Sequence, residues 1–467
     1  MSTAALTYPR FTRGLGKTFY IMTALCVSGA IGAGIVASPI IVAGSVAGLG
    51  LFALGLLGAS SVTFPLLGFL LVFDSVFSLG TQVGSTGTVT LIGISPSNVL
   101  LLGLVVRLGA DLAVRREVIR AFGLLTGGVL IGTAILSALV EGGGITRPTI
   151  TAIGGGLTVL VVLSYGSPQL SFKMLKGVAV GAMIGGLSGL LTIATTVGSR
   201  SDLGRSFAYI GTNSQSLPVP RVSGLFQNPV ALGFVVLIAV FTVLATFRRP
   251  LLRRLLVAVL LLSLAFTYSR GPMVGVGLGF LAFGASWLAA DRTRRVHARP
   301  RWFSFVAFLS ASGILVAILL LSASRSPSLA PYWNQDSIDF RRDASELALN
   351  AWASNPVLGI GPGNFEERYT FEVHDTFLTV AAEMGTAAFA AMIGLTILSV
   401  IRPTARALTS DDKELARMYR WIASAAVATA VVNASVSLNG VKVMWAVLAC
   451  ACIVLTRNEL PTQAAAR

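Results

Sequence analysis

Apolar runs of roughly 20 residues, the length a helix needs to cross the hydrocarbon core of a bilayer, follow one another along most of the chain. They begin near Phe19, Ile40, Val62, Ser97, Val118, Thr149, Met174, Phe226, Leu255, Gly271, Phe303, His374, Trp421 and Lys442. The pattern predicts an all-α, polytopic transmembrane bundle of about 12–14 spans, the whole of 1–467 forming one integral membrane domain. The run near Ser97 opens on ISPSN, which suits a capped or re-entrant helix, and Ser38 and Pro39 divide a tight pair. The basic segment MSTAALTYPRFTRGLGK leads into a run that has no clear cleavage site and merges with the next, so it reads as a retained first helix.

Polar sequence gathers in two interruptions, the stretches 196–225 and 323–373. The second holds Arg341, Arg342, Trp352, NPVLGIGPGNF (Asn355 to Phe365) and Arg368, and it delivers His374 to the mouth of the run HDTFLTVAAEMG. In a chain that is otherwise mostly hydrocarbon, chemistry must sit where polar groups stay wet, so this insertion is the first place to look for a site.

A mean hydropathy of +0.80 with 54% hydrophobic and 12% charged residues excludes an ordinary soluble domain. The formal net charge of +16 would suit nucleic acid, yet the cations fall in short clusters between apolar runs rather than on one basic face with interleaved aromatics. Topology explains them better. With the N-terminus cytoplasmic, the loops AVRREVIR, FKMLK, FRRPLLRR, DRTRRVHARPR and RPTARALTSDDKELARMYR all lie inside, leaving only Arg147, Arg200, Arg205, Arg221, Arg270, Arg325, Arg341, Arg342, Arg368 and Lys442 outside. Both polar interruptions, and the SRG at 269–271, then share the extracytoplasmic face. Cys26, Cys450 and Cys452 lie within apolar runs and suggest neither a disulfide framework nor a zinc site. Glycine-rich steps such as 154–156 and 181–186 read as helix packing faces rather than phosphate loops. Asp74 and Asp111, at the edges of spans, read as groups that reach an interface.

Of two histidines, His297 falls in the basic inner loop DRTRRVHARPR and reads as solvated. His374 stands at a helix start, where the positive end of the dipole favours the neutral imidazole that can accept a proton near pH 7. Arg221, Arg270 and Arg341 or Arg342 recur at outer loop-to-helix junctions. Each alone would read as a headgroup anchor, but three on one face suit a pyrophosphate clamp, because guanidinium forks grip phosphate oxygens bidentately. A pyrophosphate at that leaflet means a lipid-linked donor. The acidic residues Asp336, Asp339, Asp343, Glu346, Glu366, Glu367 and Glu372 show no metal-ligand spacing and read as solvated charge or sugar contacts, so no metal and no cofactor is expected. Glu383, nine residues into the His374 helix, turns to its opposite side and is a poor orienting partner.

The ordered set of RVSGLFQNP (Arg221 to Pro229), SRG (Ser269 to Gly271), NPVLGIGPGNF, and His374 with Leu378, Glu383 and Gly385 resembles the O-antigen ligase and polymerase superfamily of polytopic membrane proteins, over about residues 220–400. Asp375 stands where that pattern usually has Asn. The resemblance implies an all-helical, metal-independent glycosyltransferase that moves a glycan from an undecaprenyl-pyrophosphate carrier to a glycan or lipid acceptor in cell-surface polysaccharide biosynthesis. Arg221, Arg270 and Arg341 or Arg342 would hold the departing pyrophosphate, and His374 would be the base. Asn355, Gly361, Gly363 and Asn364 would support the loop. Ligase and polymerase share this core. A flippase for the same lipid-linked glycan is the rival from another class, although its polar groups would be expected at mid-membrane rather than gathered at one surface. The expected setting is the inner or plasma membrane, with lipid and no nucleic acid as partner.

Overall fold

The computed structural model describes residues 39–73, 95–111, 118–141, 146–165, 168–196, 222–226, 228–293, 335–436 and 441–453. The runs near Phe19 and Phe303, Asp74, His297, Cys26, Arg221, the stretch 323–334 and most of 196–225 lie outside them, as does the side chain of Asp111. Fourteen helices are present among the described residues: α1 (Pro39–Leu57), α2 (Ser60–Val72), α3 (Pro96–Asp111), α4 (Val118–Val140), α5 (Arg147–Tyr165), α6 (Pro168–Thr196), α7 (Pro229–Thr246), α8 (Pro250–Thr267), α9 (Arg270–Thr293), α10 (Gln335–Ser354), α11 (Asn364–Tyr369), α12 (Thr376–Thr409), α13 (Lys413–Asn433) and α14 (Lys442–Cys452). Seven of them, α4 to α9 and α12, are long and apolar enough to cross a membrane, and four shorter apolar helices accompany them. The protein is a polytopic helical bundle, as the run pattern predicts.

The expected span near Trp421 starts earlier, at Lys413, because Asp412 caps that helix by accepting from the N–H groups of Glu414 and Leu415 at 2.9 and 3.2 Å. Likewise α7 begins at the Asn228-Pro229 step: the Asn228 side chain accepts from Val230 N at 2.8 Å, and Pro229 takes the first turn, where its missing N–H costs nothing. That helix is the centre of the bundle, with Phe234 to Phe241 fully buried, and α6, α8, α9 and α13 pack around it. Close crossings depend on absent side chains. A methyl at Gly177 would overlap the Pro65 carbonyl, and one at Gly68 would overlap that of Met174, so α2 and α6 meet backbone to backbone.

Helix ends sort into two levels. At one, Ala407, Leu415, Tyr419 and Phe172 cluster, joining the end of α12 to the starts of α13 and α6, and Arg253 lies near Glu414 and Arg417. At the other, Val222 N donates to Phe266 O at 3.1 Å, Gly271 faces Ser435 and Val436, and Thr376 Oγ1 donates to Val436 O at 2.7 Å. Lys442, buried at the start of α14, reaches Ser95 Oγ at 3.0 Å and Asn98 Oδ1 at 2.7 Å, which ties down the capped start of α3.

Candidate functional site at one end of the bundle

The polar insertion builds a small second core on that second level. Within it, α10 lays Ala348 and Ala351 against Ala382 of α12, with Ala344 buried on the same face, and Ile360, Phe365 and Val373 close the cluster. The sequence reading treats this stretch as a loop, yet the alanines at i, i+4 and i+7 mark an amphipathic helix face.

NPVLGIGPGNF follows α10 and docks on a break in α12. Gly385 has φ 77° and ψ −176°, which interrupts the helix and leaves the carbonyls of Ala382 and Glu383 without their helical donors. The loop supplies replacements. Ile360 N donates to Ala382 O at 2.8 Å and Gly361 N to Glu383 O at 3.0 Å, while Ser137 Oγ from α4 also donates to Glu383 O at 3.0 Å. Thr386 donates twice to Pro356 O, from N at 2.8 Å and Oγ1 at 2.6 Å, and Trp352 Nε1 donates to Thr386 Oγ1 at 3.1 Å. The buried Glu383 carboxylate accepts from the backbone N–H groups of Gly363 and Phe365. Glu383 therefore grips the loop rather than the imidazole.

The loop-support positions lie at the turns of this dock. Asn364 Nδ2 donates to Ile360 O at 2.6 Å, Gly359 N donates to Asn355 O at 2.9 Å, and Gly361 and Gly363 hold φ of 95° and 84°. Gly363 also abuts Pro148 at the start of α5, and Arg368 Nη2 bonds Glu141 Oε2 at 2.6 Å at the end of α4, so the loop is clamped from both sides.

His374 emerges from this frame half-buried, one residue before the cap of α12. Asp375 is that cap: its side chain accepts from Leu378 N at 3.0 Å, a role that Asn fills equally well. Partial burial and, next, the charge of Arg341 lower the His374 pKa below its usual 6.5, so the ring is neutral at pH 7. Burial also raises the Asp375 carboxyl, against the opposing pull of its N–H donors. Phe340 touches His374 edge-on at 6.4 Å between centroids.

The two neighbouring arginines of α10 have different surroundings. Arg341, exposed like its neighbour, stands about one and two turns before the buried Ala344 and Ala348, and its charge acts on His374. Arg342 turns outward and pairs with Glu346 at 3.3 Å, both side chains well exposed. Arg270 is the first residue of α9, beside the Gly271 contact with Ser435 and Val436 that leads through Thr376 to His374. Arg221 itself is not described, but the residue after it, Val222, pairs with Phe266, one turn before Arg270. Among the described residues, no three His, Cys, Asp or Glu side chains gather as metal ligands would.

A many-span helical bundle with a polar, glycine-braced loop over one end is the frame of a multi-pass membrane protein. The O-antigen ligase family matches residues 255–393, and the match supports the resemblance that the motif set carries. It covers SRG, the Asn355 to Phe365 loop, His374, Glu383 and Gly385, and begins beyond Arg221 to Pro229. It supports a membrane glycosyltransferase-like role in polysaccharide assembly. No curated protein matches the chain significantly.

Proposed function

We propose that the protein transfers a glycan from an undecaprenyl-pyrophosphate carrier to an acceptor hydroxyl at the extracytoplasmic surface, with no metal required. His374 takes the proton of the acceptor hydroxyl. The freed oxygen bonds to the anomeric carbon while the bond from that carbon to the pyrophosphate oxygen breaks, and polyprenyl pyrophosphate leaves with the electron pair. Arg341, Arg270 and Arg221 stabilise the charge that develops on the leaving group, which is where fixed cations contribute most. Arg342, held by Glu346, has a supporting place at the rim.

The observation that carries this reading is the contact of α10 with His374 through Phe340, 6.4 Å between ring centroids, with Arg341 the next residue and its charge acting on the imidazole. Transfer needs a base that is neutral at working pH and a cation for the leaving group, and a carrier that only moves its cargo needs no base. The outward side is supported by the distribution of basic residues between the two levels of the bundle.

The test is transfer of glycan by purified wild type and His374→Gln at matched folded amounts, with retention of lipid-linked glycan assayed in parallel. Loss of a base should lower transfer by about 10²–10⁴-fold while the donor is still retained. Near-normal transfer by the Gln variant would remove His374 from the mechanism, and loss of transfer on chelation would return the acidic residues of the loop to candidacy.

A further inference from the structure

We propose that Phe340 is the platform on which a pyranose ring of the acceptor stacks, placing a hydroxyl of that sugar at His374; the proposal rests on the transfer reading above. Phenylalanine is ordinarily an interior residue, yet this one remains 43% exposed. It is not loosely displayed. Phe371 braces it edge-on at 5.0 Å, with Phe365 and Tyr369 behind Phe371 at 5.9 and 6.3 Å, and His374 touches it at 6.4 Å. A rigid aromatic surface that is already ordered loses little freedom when a ligand settles on it.

Sugar chemistry matches what surrounds the ring. A pyranose has a face of C–H bonds that lies on an aromatic surface, while its hydroxyls radiate from the rim. A sugar at van der Waals separation, about 4 Å above Phe340, has rim hydroxyls within reach of an imidazole whose centroid is 6.4 Å from the phenyl centroid. The neighbours favour a hydroxyl-bearing occupant over an acyl chain. Asp339 and Asp343 are exposed on the same helix, Asp343 one turn from Phe340, and the exposed Glu372 lies between Phe371 and His374 in the chain. Carboxylates accept from sugar hydroxyls, which an acyl chain lacks. Arg341, adjacent to Phe340 and acting on His374, puts the leaving-group side of the reaction next to the platform.

The test uses cells that lack their own copy of the protein and supply native donor and acceptor, expressing the full chain at matched membrane amounts. Phe340→Trp keeps a stacking face and should transfer within about threefold of wild type, whereas Phe340→Leu, which keeps apolar bulk without a ring, should fall about tenfold or more. Retention of lipid-linked glycan extracted from those cells should be unchanged in both. Equal transfer by the Leu and Trp variants would overturn the platform and leave Phe340 as packing or a lipid anchor. His374→Gln in the same cells separates the two readings: normal transfer there sinks the transfer mechanism, while a dead His374→Gln beside a normal Phe340→Leu sinks the platform alone.

Discussion

The carboxylate of Glu383 accepts the backbone N–H of Gly363, so a buried acid deep in α12 holds the turn from which the His374 segment departs. Removing the acceptor strands N–H groups in a buried place, which costs about 1–3 kcal/mol for each donor left unpaired. Glu383→Ala should therefore lower thermal stability and loosen the loop, seen as faster proteolysis near Gly361, while Glu383→Gln, which keeps one acceptor oxygen, should lose less. Equal stability of the Ala variant would show that the loop stands without this grip.

Gly385, at φ 77°, leaves no room for a side chain: a Cβ there would overlap the carbonyl of Val357. An alanine there costs about 1–3 kcal/mol for a backbone conformation open essentially to glycine alone, before any overlap is counted. Gly385→Ala should yield little folded protein, and Gly394→Ala, in open surroundings on the same helix, should be tolerated. Matching melting temperatures for the two would refute the account of the break.

Burial and the charge of Arg341, which lower the His374 pKa, give the proposed transfer a pH dependence. A base whose pKa lies below 6.5 is active once deprotonated, so the rate should rise as pH rises through that lowered value and level off by neutrality. Arg341→Ala removes the cation that disfavours imidazolium, so the rising limb should move to higher pH, besides any loss in rate. Arg342→Ala should leave the limb in place. A pH profile indifferent to Arg341 would dissociate the two residues.

Asp375 caps α12 through Leu378 N, and that job does not need a charge. Asp375→Asn should transfer normally, and Asp375→Ala should cost about 1 kcal/mol of stability, the usual value of an N-cap. A large loss of transfer in a stable Asn variant would point to a chemical role for the carboxylate.

Sidedness is checked by single cysteines at two exposed positions, Ala353 and Asp411, on opposite levels of the bundle, with Cys26, Cys450 and Cys452 replaced. A membrane-impermeant thiol reagent applied to intact cells should label the first and spare the second. The reverse pattern would invert the topology.

The sequence by itself determined whatever depends on spacing along one chain. Bilayer thickness makes apolar length readable, so the long apolar helices between Ile40 and Lys442 were foreseeable, as was the capped start at Ser95 to Asn98, whereas the polar helix α10 was not. The clustering of basic residues likewise foretold that Arg270, His374 and the Asn355 to Phe365 loop share an end. Helix spacing also turned Glu383 away from His374. Only the tertiary structure decided what Glu383 faces, because its partners at Gly363 and Phe365 are backbone groups with no signature of their own. It also separated Arg341 from Arg342. Adjacent residues of a helix point about 100° apart, and which of them brings its charge to bear on His374 is set by how Ala348 and Ala351 seat α10 against Ala382 of α12, a contact between segments that no local pattern encodes.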